Sequence, residues 1–146
     1  SHRIGGFGHG FTASGHPVAT AVALENLAII EERDLMGNAA RLEGAFQTGL
    51  RALGDHPLVG EARGAGLIGA LELVADKATK RPFDPIGRVG AIAAEEGHAA
   101  GLIFRAIGDQ LALCPPLIVT EADIAEIFAR MRVALDRTAA RLAAEA

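Results

Sequence analysis

Two stretches of the sequence carry residue types that could hold an anion. The first, GHGFTASGHP over Gly8 to Pro17, sets three glycines, two histidines, a threonine and a serine ahead of an apolar helix. Backbone N–H groups in a glycine-rich turn, together with the Thr12 hydroxyl, make a natural phosphate cradle, and the helix start adds a favourable dipole. The stretch matches neither a Walker A nor a GxGxxG pattern, so spacing alone leaves a plain polar loop open beside an anion site. His9 and His16 could ligate a metal, but no third ligand stands at a suggestive interval, and hydrogen-bonded loop histidines are the expectation.

The second stretch is LIFRAIGDQLALCPPLIVT, in which Arg105 precedes a Gly108-Asp109 turn. A guanidinium grips a carboxylate through two parallel hydrogen bonds. An ordinary strand arginine in a surface ion pair is the competing reading. Lys77 and Lys80, the only lysines, fall in the charged segment ADKATKRPFDP over 75–85, where solvent exposure is expected.

The elements that must position these residues can be read from periodicity. Pro17 suits a first helical turn, and the run from there to about Arg33 is apolar on most sides, which predicts a buried helix. Leu35, Ala39, Leu42, Phe46, Leu50 and Leu53 predict an amphipathic helix with Glu43, Gln47 and Arg51 outside and Gly54 as its stop. Val59 to Val74 reads as two strand segments, or as one strand bent near Arg63-Gly64. A third helix is expected from Ile86 to Ala100, with Val89, Ile92 and Ala93 inside. Leu102 to Ala106 and Leu111 to Cys114 should pair as an antiparallel hairpin. Thr120 with Asp123 predicts a capped start to a last helix, on which Ile124, Ile127, Met131, Leu135 and Leu142 share a face and whose alanine-rich tail should fray.

Composition narrows the class. With 146 residues the chain has the size of one ordinary domain, and 50% hydrophobic content with 22% charged residues argues against disorder. The net charge of -4 and the absence of Trp and Tyr argue against a nucleic-acid partner. The longest apolar runs break well short of a membrane span, and SHRIGG lacks the order of a signal peptide, so a cytoplasmic protein with no membrane partner is expected. Cys114 stands alone, which rules out an internal disulfide; its apolar run predicts a small buried hydrophobe. The chain has no initiator Met and opens in mid-loop, which predicts a piece of a larger protein.

Three segments together resemble a known family. HGFTASGHPVATAVAL is similar to the HGFTYSGHPVA-type segment of class III pyridoxal-phosphate aminotransferases, particularly the omega-aminotransferases acting on amines and omega-amino acids. RGAGLIGALEL follows in the family's order. LIFRAIGDQLALCPPLIVT resembles its late arginine-bearing strand and PPL(I/V)-T passage.

The resemblance implies a fold: the C-terminal part of a fold-type-I transferase dependent on pyridoxal 5'-phosphate. Residues 1–33 would close the large cofactor domain, and residues 34–146 would form a small α/β (α+β) domain of helices on a largely antiparallel sheet. Phe11 and Thr12 match the pair whose backbone and hydroxyl hold the cofactor phosphate, reaching it from the neighbouring subunit of a homodimer. Ala13 departs from the usual aromatic. Arg105 matches the arginine that pairs with the substrate carboxylate, and could withdraw for an uncharged donor. The Schiff-base lysine lies upstream of the HGFT segment, so no catalytic residue is expected within the chain, and it should be inactive alone. The intact enzyme would pass an amino group from an amine or omega-amino acid to a keto acid such as pyruvate. A non-catalytic small-molecule-binding or regulatory module, or a dimerisation domain, remains as an alternative for the sheet-and-helix pattern.

Overall fold

The computed structural model describes residues 10–145. The chain divides into two compact units, Ser1–Leu35 and Met36–Ala146. His9 lies outside the described residues.

In the first unit a turn over Thr12 to Gly15 leads into α1, Pro17–Glu32. Proline at N1 and the His16 side chain at the N-cap start the helix, the imidazole Nδ1 accepting from the Ala19 N–H at 3.5 Å. His16 is thus a hydrogen-bonded loop histidine, as expected. The expected burial of this helix is not seen. None of its residues is buried, and Val18, Val22, Leu24 and Leu27 are exposed. Apolar residues fall on every side of it, and the other described residues of its unit form only turns.

The second unit packs three helices with one sheet. Helix α2 spans Leu35–Ala52 and ends in a short 3₁₀ turn, Leu53–Asp55. Strands β1 (Val59–Ala65) and β2 (Ile68–Leu73) precede α3 (Arg88–Ala99), β3 (Arg105–Ile107), β4 (Gln110–Leu113) and α4 (Glu121–Ala144). The sheet runs β1-β2-β4-β3 and every pair is antiparallel. This bears out the expected α+β class. The strands turn at Gly66-Leu67 instead of bending at Arg63-Gly64; Gly66 has φ +57, which suits glycine there, and the register slips instead between Val59 and Glu61.

One face of the sheet closes the core. Ala62, Leu71, Leu111 and Ala106 form a cross-strand row on that face, joined by Leu73 and Leu113. The helices supply Phe46 and Leu50 from α2, Val89 and Ala93 from α3, and Ile124, Phe128, Met131 and Leu135 from α4. Phe46 and Phe128 meet edge to face at 5.2 Å, a geometry that contributes about 0.5–1.5 kcal/mol beyond burial.

Polar residues settle several local details against expectation. Gln47, expected outside, is 7% exposed, and its Nε2 donates to the Gly66 and Ile68 carbonyls at 2.9 and 3.2 Å. Glu43 accepts from the Gly66 N–H at 3.0 Å, so the polar side of α2 grips the β1–β2 turn. Thr120 and Asp123 form a full capping box even though the third residue is Asp. The α4 tail stays helical to Ala144, with Arg141 Nη1 2.6 Å from Glu95 Oε2 and Arg88 paired with Glu145. Cys114 is exposed, not buried: its neighbour Leu113 takes the core side and the alternation of the strand turns Cys114 outward.

Candidate functional site

The Phe11–Gly15 turn is built by its own short polar residues. The Phe11 carbonyl accepts from the Ser14 N–H at 2.9 Å, and the Phe11 N–H donates to Ser14 Oγ at 3.2 Å. The His16 N–H donates to the Ala13 carbonyl at 3.2 Å. Thr12, at the outside of this turn, makes no hydrogen bond through its N–H or its hydroxyl among the described residues. A Cβ added at Gly10 or Gly15 would meet nothing within 4 Å, so the turn is open. Thr12 therefore offers two donors that no described residue uses. Phe11 is exposed, and its N–H is the one that donates to Ser14.

In the second unit Arg105 opens the edge strand β3. Its cross-strand partner is Ala112, whose other partner is Ala70, itself opposite Arg63. Cross-strand partners share a sheet face, so Arg63, Ala70, Ala112 and Arg105 form one row on the face away from the core. Arg105 is exposed, and no carboxylate among the described residues pairs with it. It lines a groove of about 480 Å³ with Ile103, Phe104, Cys114, Pro115, Pro116 and Ile127. Among the described residues it forms no surface ion pair.

The supports of this groove come from several elements. Asn38 on α2 donates to the Leu117 and Val119 carbonyls at 2.8 and 3.0 Å, fixing the segment after Pro115-Pro116. The turn after β3 is held by Asp109, which is 8% exposed, and its carboxylate accepts from the Gly87 and Gly90 N–H groups, each at 2.8 Å. Sequence reasoning gave Asp109 only a turn. The signal that could have found it is the glycine at both the N-cap and third positions of α3, which leaves that helix no cap of its own.

Lys77 and Lys80 line no part of the groove. Lys77 Nζ donates to the Gly54 and His56 carbonyls at 2.5 and 3.2 Å, and Lys80 Nζ lies 3.4 Å from Glu61 Oε2. Both are exposed, as expected. Among the described residues no three His, Cys, Asp or Glu side chains come together as a metal site would need, and no helix is long and apolar enough to cross a membrane.

The family model for class III aminotransferases matches residues 2–135. This chain belongs to that family. It is 46% identical over 141 residues to a putrescine–pyruvate aminotransferase of Pseudomonas aeruginosa, an alignment covering 96% of this chain and 31% of that protein. A solved transaminase with L-alanine superposes with a TM-score of 0.86 at 53% identity, over 97% of this chain and 34% of the other. The omega transaminase of Pseudomonas jessenii in complex with PMP does so with a TM-score of 0.83 at 52% identity, over 94% and 30%. The chain thus spans about a third of the length of the transaminases it matches.

Proposed function

We propose that the chain serves as the C-terminal part of an aminotransferase that moves an amino group from an amine or omega-amino acid to a keto acid such as pyruvate. The observation that carries this reading is Arg105: an exposed arginine with no counter-ion among the described residues, lining a mostly apolar groove. That arrangement fits a carboxylate carried on a small organic skeleton. The guanidinium takes the two oxygens in its plane, and the apolar walls hold the carbon chain while excluding water. Residues 1–33 serve the cofactor domain and 34–146 the small domain, in a cytoplasmic homodimer.

Pyridoxal 5'-phosphate, when bound, supplies the electron sink that lets the bond between nitrogen-bearing carbon and hydrogen break. The unused Thr12 N–H and hydroxyl, in an open turn ahead of a helix, fit one of its phosphate oxygens. Phe11 contributes the turn itself through its bonds with Ser14. With Lys77 held by two carbonyls and Lys80 beside Glu61, neither lysine is placed to bind the cofactor covalently. The residues of this chain bind and orient; the covalent chemistry belongs to the rest of the enzyme.

The test is Arg105→Ala in the full-length holoenzyme, with each half-reaction followed by the cofactor's absorbance. Pyruvate should lose most of its binding, while 1-phenylethylamine, which has no carboxylate, should react nearly as before. Equal losses for both, or none for either, would return Arg105 to a surface role.

A further inference from the structure

Helix α3 begins without any capping side chain of its own. Gly87 is its N-cap and Gly90 its third residue, and the first turn contains no acid. In a capping box those two positions exchange side-chain-to-backbone bonds. Here both bonds are made from elsewhere in the chain. Asp109 Oδ2 accepts from the Gly87 N–H and Asp109 Oδ1 from the Gly90 N–H, both at 2.8 Å. One carboxylate from the β3–β4 turn thus performs the whole box, against the positive end of the helix.

The fit is close enough to demand glycine at position 90. A Cβ there would lie 2.0 Å from the Gly108 carbonyl oxygen, so the turn backbone rests directly on the helix. Asp109 is also tied to the sheet, because its carbonyl accepts from the Leu73 N–H at 2.9 Å. At the other end of β3, Phe104 packs against Gly97, where a Cβ would come within 2.4 Å of its ring, and the Leu102 N–H donates to the Gly97 carbonyl at 2.8 Å. Strand β3 has only three residues and pairs on one side alone. Its placement therefore depends on these two attachments to α3, and Arg105 sits between them.

We infer that Asp109 is a positioning residue for Arg105: by capping α3 from the hairpin turn, it fixes the short edge strand that carries Arg105 at the groove. This rests on the reading of Arg105 as the carboxylate-binding group. Asp109 itself touches no substrate; it acts through the strand.

The experiment uses the full-length holoenzyme carrying Asp109→Asn, Arg105→Ala, or both, with pyruvate and 1-phenylethylamine half-reactions measured separately. Asparagine keeps one acceptor oxygen but loses the second and the charge. Asp109→Asn should raise the pyruvate KM on the order of tenfold, because a displaced guanidinium loses its two-point grip, and change the amine half-reaction less than about twofold. In the Arg105→Ala background it should add little, because the group it positions is gone. Asp109→Glu retains both acceptors on a longer arm and displaces the turn, so it should show the same pyruvate-selective loss even if the asparagine variant folds poorly. Equal losses in both half-reactions, no loss, or a full additional loss on top of Arg105→Ala would overturn the inference while leaving the role of Arg105 intact. Absence of selectivity in Arg105→Ala itself would overturn both.

Discussion

Arg63 and Arg105 stand at opposite ends of one cross-strand row, on the two edge strands of the sheet, with only Ala70 and Ala112 between them. Their electrostatic situations differ. Arg63 Nη1 lies 2.8 Å from Glu72 Oε2 and 3.7 Å from Glu61 Oε1, while Arg105 has no carboxylate partner among the described residues. The same residue type on the same face is neutralised at one edge and left available at the other. Sequence alone cannot distinguish them, because both arginines stand in predicted strand segments and neither shows which carboxylates the fold brings near it.

That contrast predicts the effect of giving Arg105 a partner. Ala112→Glu would place a carboxylate directly opposite it on the same face. A cross-strand ion pair is worth roughly 0.2–1 kcal/mol, so in the full-length enzyme the keto-acid KM should rise by a factor between about 1.4 and about 5 at low salt. The effect should shrink as ionic strength increases. Ala112→Gln occupies similar space without charge and should show the steric part alone. An equal rise for Gln and Glu, independent of salt, would mean that crowding, not pairing, disables the groove.

Thr12 predicts a cofactor phenotype. Its hydroxyl bonds to nothing among the described residues, so those residues give no stability reason for it. Thr12→Ala in the full-length enzyme should weaken retention of pyridoxal phosphate by about 1.5–3 kcal/mol, the worth of a hydrogen bond to a charged group. Thr12→Ser should keep most of it. Equilibrium dialysis with absorbance detection decides the matter, and unchanged retention in the alanine variant would make Thr12 a plain turn residue.

Much of the architecture was legible because it follows from periodicity. The spacing of Phe46, Leu50 and Leu53 marks the buried side of α2 and of the 3₁₀ turn that closes it, and Ile124, Met131 and Leu135 that of α4. Arg105 and Thr12 were legible only as motifs. What escaped the reading was set by partners distant in sequence. Gln47 looked external on the helical wheel, yet the β1–β2 turn, about twenty residues later, gives its amide two carbonyls. Asp109 looked like turn chemistry, yet its carboxylate is spent on a helix start some twenty residues earlier. Cys114 followed an apolar run and was misread, because alternation along a strand, not the average of the run, decides the face.

Gln47 accordingly yields a stability prediction. Gln47→Leu keeps the volume but leaves the Gly66 and Ile68 carbonyls without this donor at a mostly buried site. The loss should be about 1–3 kcal/mol, read as a lower denaturation midpoint with an unchanged m value. Thr48→Ala on the exposed side of the same helix should stay within about 0.5 kcal/mol of the parent. Comparable losses for the two variants would show that helix propensity, and not the grip on the turn, governs this region.

His56 makes stability depend on pH. It is 3% exposed, its Nδ1 accepts from the Leu58 N–H at 3.2 Å, and its Nε2 lies 3.3 Å from Asp136 Oδ1. The single ring proton therefore belongs on Nε2, donated to Asp136, and a second proton would have to enter at Nδ1, where an N–H already points. Burial pushes the imidazole below its ordinary 6.5; Asp136 and Asp55 oppose this, and Arg132 reinforces it. Lys77 also faces the corner, through its bond to the His56 carbonyl. A depressed pKa means that the unfolded chain binds a proton that the folded one refuses. Stability is thus fully present above pH 6.5 and declines as pH falls below it toward the folded value. Thermal unfolding followed between pH 7.5 and 5.5 should show a falling midpoint, in a window where ordinary carboxylates remain ionised. His56→Gln can still accept from Leu58 and donate to Asp136 but cannot titrate, so its midpoint should vary less over the same range. Parallel curves for the two proteins would remove His56 as the source of the dependence.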